Sequence, residues 1–147
     1  MDSYLLDFAD KINEIMPIVI KEFARRQANE LYKGKITLPQ MLILDFLNKN
    51  GESKMTDIAR FIGVTTAAMT GIIDRLEKYN YVLRMLDLND RRIIKVKITP
   101  RGVSLVDKVN QQRRQMIINI FGRISDSERQ DYLNILMHIR DILVSEK

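Results

Sequence analysis

Residues 55–76 carry the sequence MTDIARFIGVTTAAMTGIIDRL, which decides the fold of this chain. Ala59 supplies the small side chain that two closely crossing helices need, and Gly63 supplies a left-handed turn between them. The other core positions are apolar and keep set offsets from that turn: Ile58, Ile62, Val64, Met69 and Ile72. The stretch therefore predicts a helix–turn–helix, with helices over residues 55–62 and 65–79.

The apolar pattern changes from a helical period to a period of two after this motif. Apolar residues there alternate with lysines: Ile94, Lys95, Val96, Lys97 and Ile98. Residues 82–86 are the candidate partner strand, and the polar segment 87–91 is suited to a turn. The pattern predicts a hairpin with a basic outer face, so the domain is a winged helix-turn-helix with a two-stranded wing.

A long helix is predicted before the winged region, over residues 3–31, because apolar residues recur there at three- and four-residue steps. Pro17 lies inside it and is expected to kink or split it. Gly34 is expected to end the region. The whole chain is then mainly α, in the α+β class.

Local signals mark the ends of the other helices. Three helix starts are predicted at Thr37 with Gln40, Thr99 with Pro100, and Ser125 with Glu128. Asn50-Gly51 is expected to stop the second helix, and Asn80 is expected to take the left-handed position after the fourth.

The positive charge of the chain is concentrated in its middle third. The 147 residues include 24 Lys and Arg against 19 Asp and Glu, a net charge of +5. Residues 54–101 hold 10 basic and 5 acidic residues, whereas residues 1–53 net −1 and residues 102–147 net +1. A local excess of this kind points to a polyanion, with nucleic acid the first candidate.

The composition excludes most enzymes and metal centres. The chain has no Cys and a single His, His138, so thiolate nucleophiles, Cys-ligated zinc and multi-histidine sites are excluded. All six glycines are isolated, which leaves no phosphate-binding loop. The Asp87 and Asp90 carboxylates fall in a polar turn and are expected to be ordinary and solvated. We expect no catalysis, no cofactor and no metal.

Several short matches then resemble the MarR family of bacterial and archaeal transcriptional regulators. They are Asp74-Arg75-Leu76-Glu77, Val82, Arg84, Asp90-Arg91-Arg92, Ile98-Thr99 and Gly102. The resemblance implies a sequence-specific, double-stranded DNA-binding regulator that acts as a homodimer on a pseudo-palindromic operator, with a ligand-responsive repressor expected. Two positions depart from the family pattern: Asn80 replaces a usual glycine, and Gly71 lies inside the second helix of the motif.

The resemblance also implies a three-part organisation. Residues 1–36 are expected to form an N-terminal dimerisation helix, residues 37–101 the DNA-binding domain, and residues 102–147 the C-terminal dimerisation helices. The flanking helices present more apolar surface than one small domain can cover, and pairing with a second copy is the simplest way to bury it.

The candidate DNA-binding residues fall into three groups. Those of the recognition helix are Thr65, Thr66, Ala67, Thr70, Gly71 and Arg75, a mostly small surface suited to thymine methyls and phosphates. Those of the wing are Asp90, Arg91, Arg92 and Lys95; the resemblance implies that Arg92 enters the minor groove and that Asp90 orients it. Candidate phosphate contacts are Lys54, Arg60, Arg84 and Lys97. Thr65 is equally a plain helix cap, and Thr70 a solvated helix position.

The resemblance implies a small aromatic or phenolic effector, which the sequence does not identify. The absence of Cys argues against sensing by thiol oxidation, and the single His against sensing of zinc. The acidic start of the chain and the lack of a long apolar run predict a cytoplasmic protein without a membrane span. A winged-helix module that binds protein or RNA without operator specificity remains the alternative.

Overall fold

A computed structural model describes residues 2–30 and 36–146. The helices are α1 (Ser3–Glu30), α2 (Leu38–Asn50), α3 (Met55–Ile62), α4 (Thr66–Lys78), α5 (Pro100–Phe121) and α6 (Asp126–Ser145). The strands are β1 (Ser53–Lys54), β2 (Val82–Leu86) and β3 (Ile94–Ile98). The predicted class, mainly helical with a small sheet, is confirmed. The chain divides into two compact units, residues 1–112 and 113–147, and the predicted functional boundaries after residues 36 and 101 stay predictions.

The predicted local signals begin and end the helices of the winged region. The Thr37 hydroxyl accepts from the Gln40 backbone N–H at 3.3 Å, and the Gln40 side chain accepts from the Thr37 N–H at 3.1 Å, which completes the capping box. The Thr65 hydroxyl accepts from the Ala68 N–H at 3.1 Å at the start of α4. Gly63, with a φ of +78°, makes the left-handed turn between α3 and α4.

The sheet has three antiparallel strands in the order β1-β3-β2. Its long pair runs from Val82 opposite Ile98 to Leu86 opposite Ile94, as the alternating pattern predicts. The third strand, β1, pairs its two residues with β3 and was not expected. A strand of two residues is too short to show a period, which is why the sequence did not indicate it; the predicted two-stranded wing is confirmed as the β2–β3 hairpin.

The core lies between α2, α3, α4, the sheet and the first half of α5. Its fully buried large side chains are Met41, Ile43, Leu44, Leu47, Ile58, Met69, Ile73, Leu76, Val82, Val96, Val106 and Val109. These residues hold the second helix of the motif against the sheet, and so they fix where α4 and the wing stand relative to each other.

Helix α1 runs without interruption through Pro17, so the helix is not split there, and the alternative, a kink, stays a prediction. Proline removes one backbone donor, and the carbonyl of Asn13 that loses its partner is on an exposed residue, where water can replace the bond. The predicted helix end at Leu31 and the stop at Gly34 lie outside the described residues.

The start of α5 is joined tightly to the turn after α4. The Thr99 hydroxyl donates to the Asn80 carbonyl at 2.6 Å and accepts from the Gly102 N–H at 3.1 Å. A Cβ at Gly102 would lie 2.3 Å from the Tyr81 carbonyl oxygen, so only glycine allows this approach. Asn80 has a φ of 60° and takes the predicted left-handed position.

Helices α1 and α6 present apolar side chains to solvent in the single chain. Exposed apolar residues on these helices include Leu5, Phe8, Ile15, Leu136, Ile139 and Leu143, and α6 has no buried residue. No helix in the described part of the chain is long and apolar enough to cross a membrane.

Candidate nucleic-acid interface

One face of the recognition helix α4 is buried in the core, and the opposite face is exposed to solvent. Met69, Ile73 and Leu76 are buried. The six residues predicted to meet DNA, Thr65, Thr66, Ala67, Thr70, Gly71 and Arg75, are all exposed. Their exposure follows from the helical period, which gives the core one side and leaves a continuous solvent-facing surface on the other.

Most side chains on that surface are small, and two of its hydroxyls already make hydrogen bonds to the helix backbone. Thr65 caps the helix, and the Thr70 hydroxyl donates to the Thr66 carbonyl at 3.0 Å. Among the residues that the structure describes, nothing lies within 4 Å of a Cβ placed on Gly71, so packing among them does not require a glycine there. Methyl groups and the long Arg75 side chain are left as the features that DNA could meet.

The wing tip is organised by Asp87. Its Oδ1 accepts from the backbone N–H groups of Asn89 at 2.8 Å and Asp90 at 3.1 Å, and its Oδ2 lies 3.0 Å from Nζ of Lys95. The Asn89 N–H is the largest cause that lowers the pKa of Asp87, and the Lys95 ammonium adds to it. Asp87 is only 14% exposed, so the expectation of an ordinary, solvated carboxylate is wrong for this residue.

Asp90 holds the side chain of Arg92 in a fork. Arg92 Nε donates to Oδ1 at 3.1 Å and Nη2 donates to Oδ2 at 3.2 Å, while the backbone N–H of Arg92 donates to Oδ1 at 3.0 Å. The Arg92 hydrogen bond lowers the pKa of Asp90, and the arginine side chain is 90% exposed. The geometry is that of an arginine oriented by its neighbour and presented to solvent, while its entry into a minor groove stays a prediction.

Arg84 has a different place from the one predicted. Its guanidinium donates to Glu77 Oε1 at 3.0 Å and to the Thr70 carbonyl at 3.1 Å, and it pairs with Asp74. The side chain is 23% exposed. Because its donors are directed at α4, we correct the predicted phosphate contact: Arg84 positions the recognition helix against the wing.

The remaining predicted cations lie at the surface of the winged domain. Lys54 and Lys97 are exposed, and Arg60 lies 3.7 Å from Asp57 in an exposed pair. Lys95 is half-buried, and Asp87 raises its pKa. Lys54 and Lys95 are register partners in the sheet, which places both side chains on the same face. Their contacts with phosphate, like that of Arg91, stay predictions.

Sequence reasoning did not assign roles to Asp74, Glu77 or Asp87. Asp74 and Glu77 are three positions apart on α4, a spacing that puts two carboxylates on one side of a helix. That spacing, with an arginine in the following strand, is the signal that could have found the pair. Asp87 two positions before Asn89 fits the pattern of an aspartate turn.

Comparisons with known proteins agree with this geometry. The family model described as MarR family matches residues 36–94. The HTH-type transcriptional regulator FarR of Neisseria gonorrhoeae is 31% identical over 118 residues, which cover 78% of this chain and 81% of FarR.

Solved structures share the fold. A MarR family protein from Bacillus stearothermophilus superposes with a TM-score of 0.82 at 17% identity, covering 98% of this chain and 99% of that one. A variant of S. aureus MepR bound to an oligodeoxyribonucleotide gives a TM-score of 0.68 at 20% identity, covering 89% of this chain and 96% of that one.

Proposed function

Because the chain belongs to the MarR family of DNA-binding transcriptional regulators, we propose that it is a ligand-responsive repressor that binds a pseudo-palindromic operator as a homodimer. Members of this family are DNA-binding proteins without enzymatic activity. A regulator of this kind would work in the cytoplasm, in contact with chromosomal DNA.

The Asp90–Arg92 fork carries the proposal of specific DNA binding. An exposed guanidinium held in one direction loses little conformational freedom when it binds. A narrow minor groove over A·T pairs concentrates negative potential and attracts arginine. With α4 in the adjacent major groove, the fork would read groove width while the small face of α4 would meet thymine methyls.

The exposed apolar faces of α1 and α6 support a homodimer. A helix that turns leucine, isoleucine and phenylalanine toward water gains free energy when a second copy covers them. Two-fold pairing is the commonest arrangement of soluble oligomers. It would present two recognition helices to half-sites about one DNA turn, roughly 34–36 Å, apart.

Repression is the simplest consequence of such binding. A dimer whose two wings and two recognition helices occupy a promoter excludes other proteins from the same DNA. The proposed effector is a small aromatic compound that would shift the spacing of the two recognition helices. The effector can change DNA binding only if it binds the DNA-bound and the released arrangements of the dimer with different affinities.

Selection of binding sites from random duplexes tests this function. The full-length chain is incubated with a random-sequence duplex pool, and the retained DNA is sequenced over successive rounds. We expect an inverted repeat with half-site centres about one turn apart. An RNA duplex of the selected sequence serves as the control. Retention without sequence enrichment, or equal retention of the RNA, would favour the alternative module without operator specificity.

A further inference from the structure

The outer end of the wing carries three exposed apolar side chains. Leu86 is 60% exposed, Leu88 is 101% exposed and Ile94 is 39% exposed. We call these three residues the wing-tip apolar cluster. Single exposed apolar residues are normal on protein surfaces, whereas three at the end of one short hairpin offer a partner more apolar surface than one side chain does.

The strand register decides which way Leu86 and Ile94 face. They are cross-strand partners at the outer end of β2 and β3, next to the Arg84–Val96 pair two positions inward. Since strand residues alternate between faces, the two pairs share one face. Val96 is fully buried, and Arg84 reaches α4 from that face. Leu86 and Ile94 therefore extend beyond the core on the side of the wing that faces the recognition helix.

Leu88 is held at the tip by the residues around it. The Asp87 N–H donates to the Ile93 carbonyl at 3.0 Å, which closes the base of the turn. The Asp87 carboxylate accepts from the N–H groups of Asn89 and Asp90. A side chain on a backbone already fixed in this way makes a contact at a low cost in ordering.

We propose that the wing-tip apolar cluster packs against the deoxyribose edges of the DNA strand that crosses between the recognition helix and the wing. The inference rests on the proposed function, because that function puts α4 in the major groove and Arg92 in the neighbouring minor groove. One sugar–phosphate strand must then pass between the two elements, on the side that Leu86 and Ile94 occupy. Sugar C–H edges are apolar, so the contact removes apolar surface from water on both partners.

The charges beside the cluster favour DNA as its occupant over a second copy of this chain. Arg91 and Arg92 follow Leu88 closely in the same turn, and both are exposed. The cluster therefore lies at the same end of the hairpin as the cations that we assign to DNA. Two wing tips in contact would bring like charges together, which is unfavourable.

Operator affinity measured against salt concentration tests the contact. Leu86→Ser and Leu88→Ser are compared with Leu83→Ser, which alters a 50% exposed leucine on the opposite face of β2. Fluorescence anisotropy of a labelled operator duplex gives the dissociation constant at each salt concentration. We expect both cluster variants to bind about three- to tenfold more weakly, as the loss of part of one buried leucine implies. The Leu83 control should stay within about twofold.

The salt dependence separates this contact from an ionic one. An apolar contact releases no counterions, so the cluster variants should keep the wild-type slope of log affinity against log salt. Wild-type affinity in both cluster variants would overturn the proposal, as would equal weakening of the Leu83 control. A wild-type chain that binds no duplex specifically would contradict the proposed function, and the wing-tip contact with it.

Sedimentation of the same variants tests whether a second protein chain, and not DNA, covers the wing-tip apolar cluster. We expect their oligomeric state to match that of the wild type. A loss of self-association with unchanged operator affinity would assign the cluster to a protein interface and overturn the proposal.

Discussion

Arg84 of the wing and Glu77 of the recognition helix are joined by two hydrogen bonds. The Arg84 guanidinium donates to Oε1 of Glu77 at 3.0 Å, and the Arg84 backbone N–H donates to Oε2 of Glu77 at 2.9 Å. The same guanidinium reaches the Thr70 carbonyl one turn before Asp74. Arg84 therefore adds a polar connection between the two parts of the proposed DNA interface, beside the core residues that pack α4 against the sheet.

Replacing Arg84 should loosen this connection. Arg84→Met keeps most of the aliphatic volume but removes every hydrogen bond of the guanidinium, and we expect the free energy of unfolding to fall by about 1–2 kcal/mol. Operator affinity should fall as well, because the wing loses its fixed position. Urea unfolding followed by circular dichroism measures the stability. Arg60→Met, at an exposed pair, is the stability control and should change it by less than about 0.5 kcal/mol. An Arg84 variant as stable as the wild type would contradict the assigned role.

Replacing Arg92 should weaken DNA binding without affecting folding. The side chain is 90% exposed, so Arg92→Ala should leave the melting temperature and the dimer nearly unchanged. We expect operator affinity to fall about fivefold or more, and the salt slope to fall by about one. Gel-shift titration beside a sedimentation run checks both parts. Unaltered affinity would show that the wing arginine does not meet DNA.

Asp90→Ala should act in the same direction as Arg92→Ala. Removal of the carboxylate frees the guanidinium to sample other rotamers, so binding must then order it. Titration of the same operator at fixed salt measures the effect. Tighter binding by Asp90→Ala would mean that this carboxylate repels the phosphates and does not act as a brace.

Two glycine substitutions in the winged domain should have opposite effects on stability. Gly102→Ala forces a Cβ against the Tyr81 carbonyl, and we expect a loss of about 1–3 kcal/mol. Gly71→Ala meets open space inside a helix, where alanine is favoured by about 1 kcal/mol. Thermal unfolding of the two variants is compared directly. A Gly102 variant that melts at or above the Gly71 variant would contradict the tight junction between α5 and the turn after α4.

The Asp87 carboxylate should make the wing sensitive to acid. The Asn89 N–H and Lys95 hold the pKa of Asp87 below its ordinary value, so its contribution is complete above that ordinary value, about 3.9, and is lost as pH falls through the lowered pKa. Asp87→Asn should therefore melt below the wild type at pH 7, and the gap should close toward pH 3. Melting curves at both pH values measure it, and a gap that widens in acid would exclude this role.

Local signals account for the parts of the fold that were predicted well. Thr37, Gly63 and Thr65 act through hydrogen bonds and dihedral angles within a few residues, so their roles are written in short stretches of sequence. The alternation at 94–98 likewise fixed one face of β3 against the core.

The parts that were missed depend on residues distant in sequence. Strand β1 exists because β3 offers it an edge, and two residues carry no period by themselves. Arg84 looked like a surface cation until Asp74 and Glu77 were brought beside it by the packing of α4 on the sheet. The charge of Arg84 is compatible with a DNA phosphate partner and with an ion pair inside the protein. Only the fold shows which partners lie beside it.

The central claim is that this winged helix recognises duplex DNA by sequence. Its most direct test is anisotropy titration of the wild-type chain with the selected inverted repeat and with a scrambled duplex of equal length, from about 50 to 200 mM salt, a range over which phosphate contacts make affinity fall steeply. We predict about 10³-fold or greater preference for the inverted repeat, with log affinity for both duplexes falling linearly with log salt. Equal affinity for the two duplexes across that range would contradict the claim.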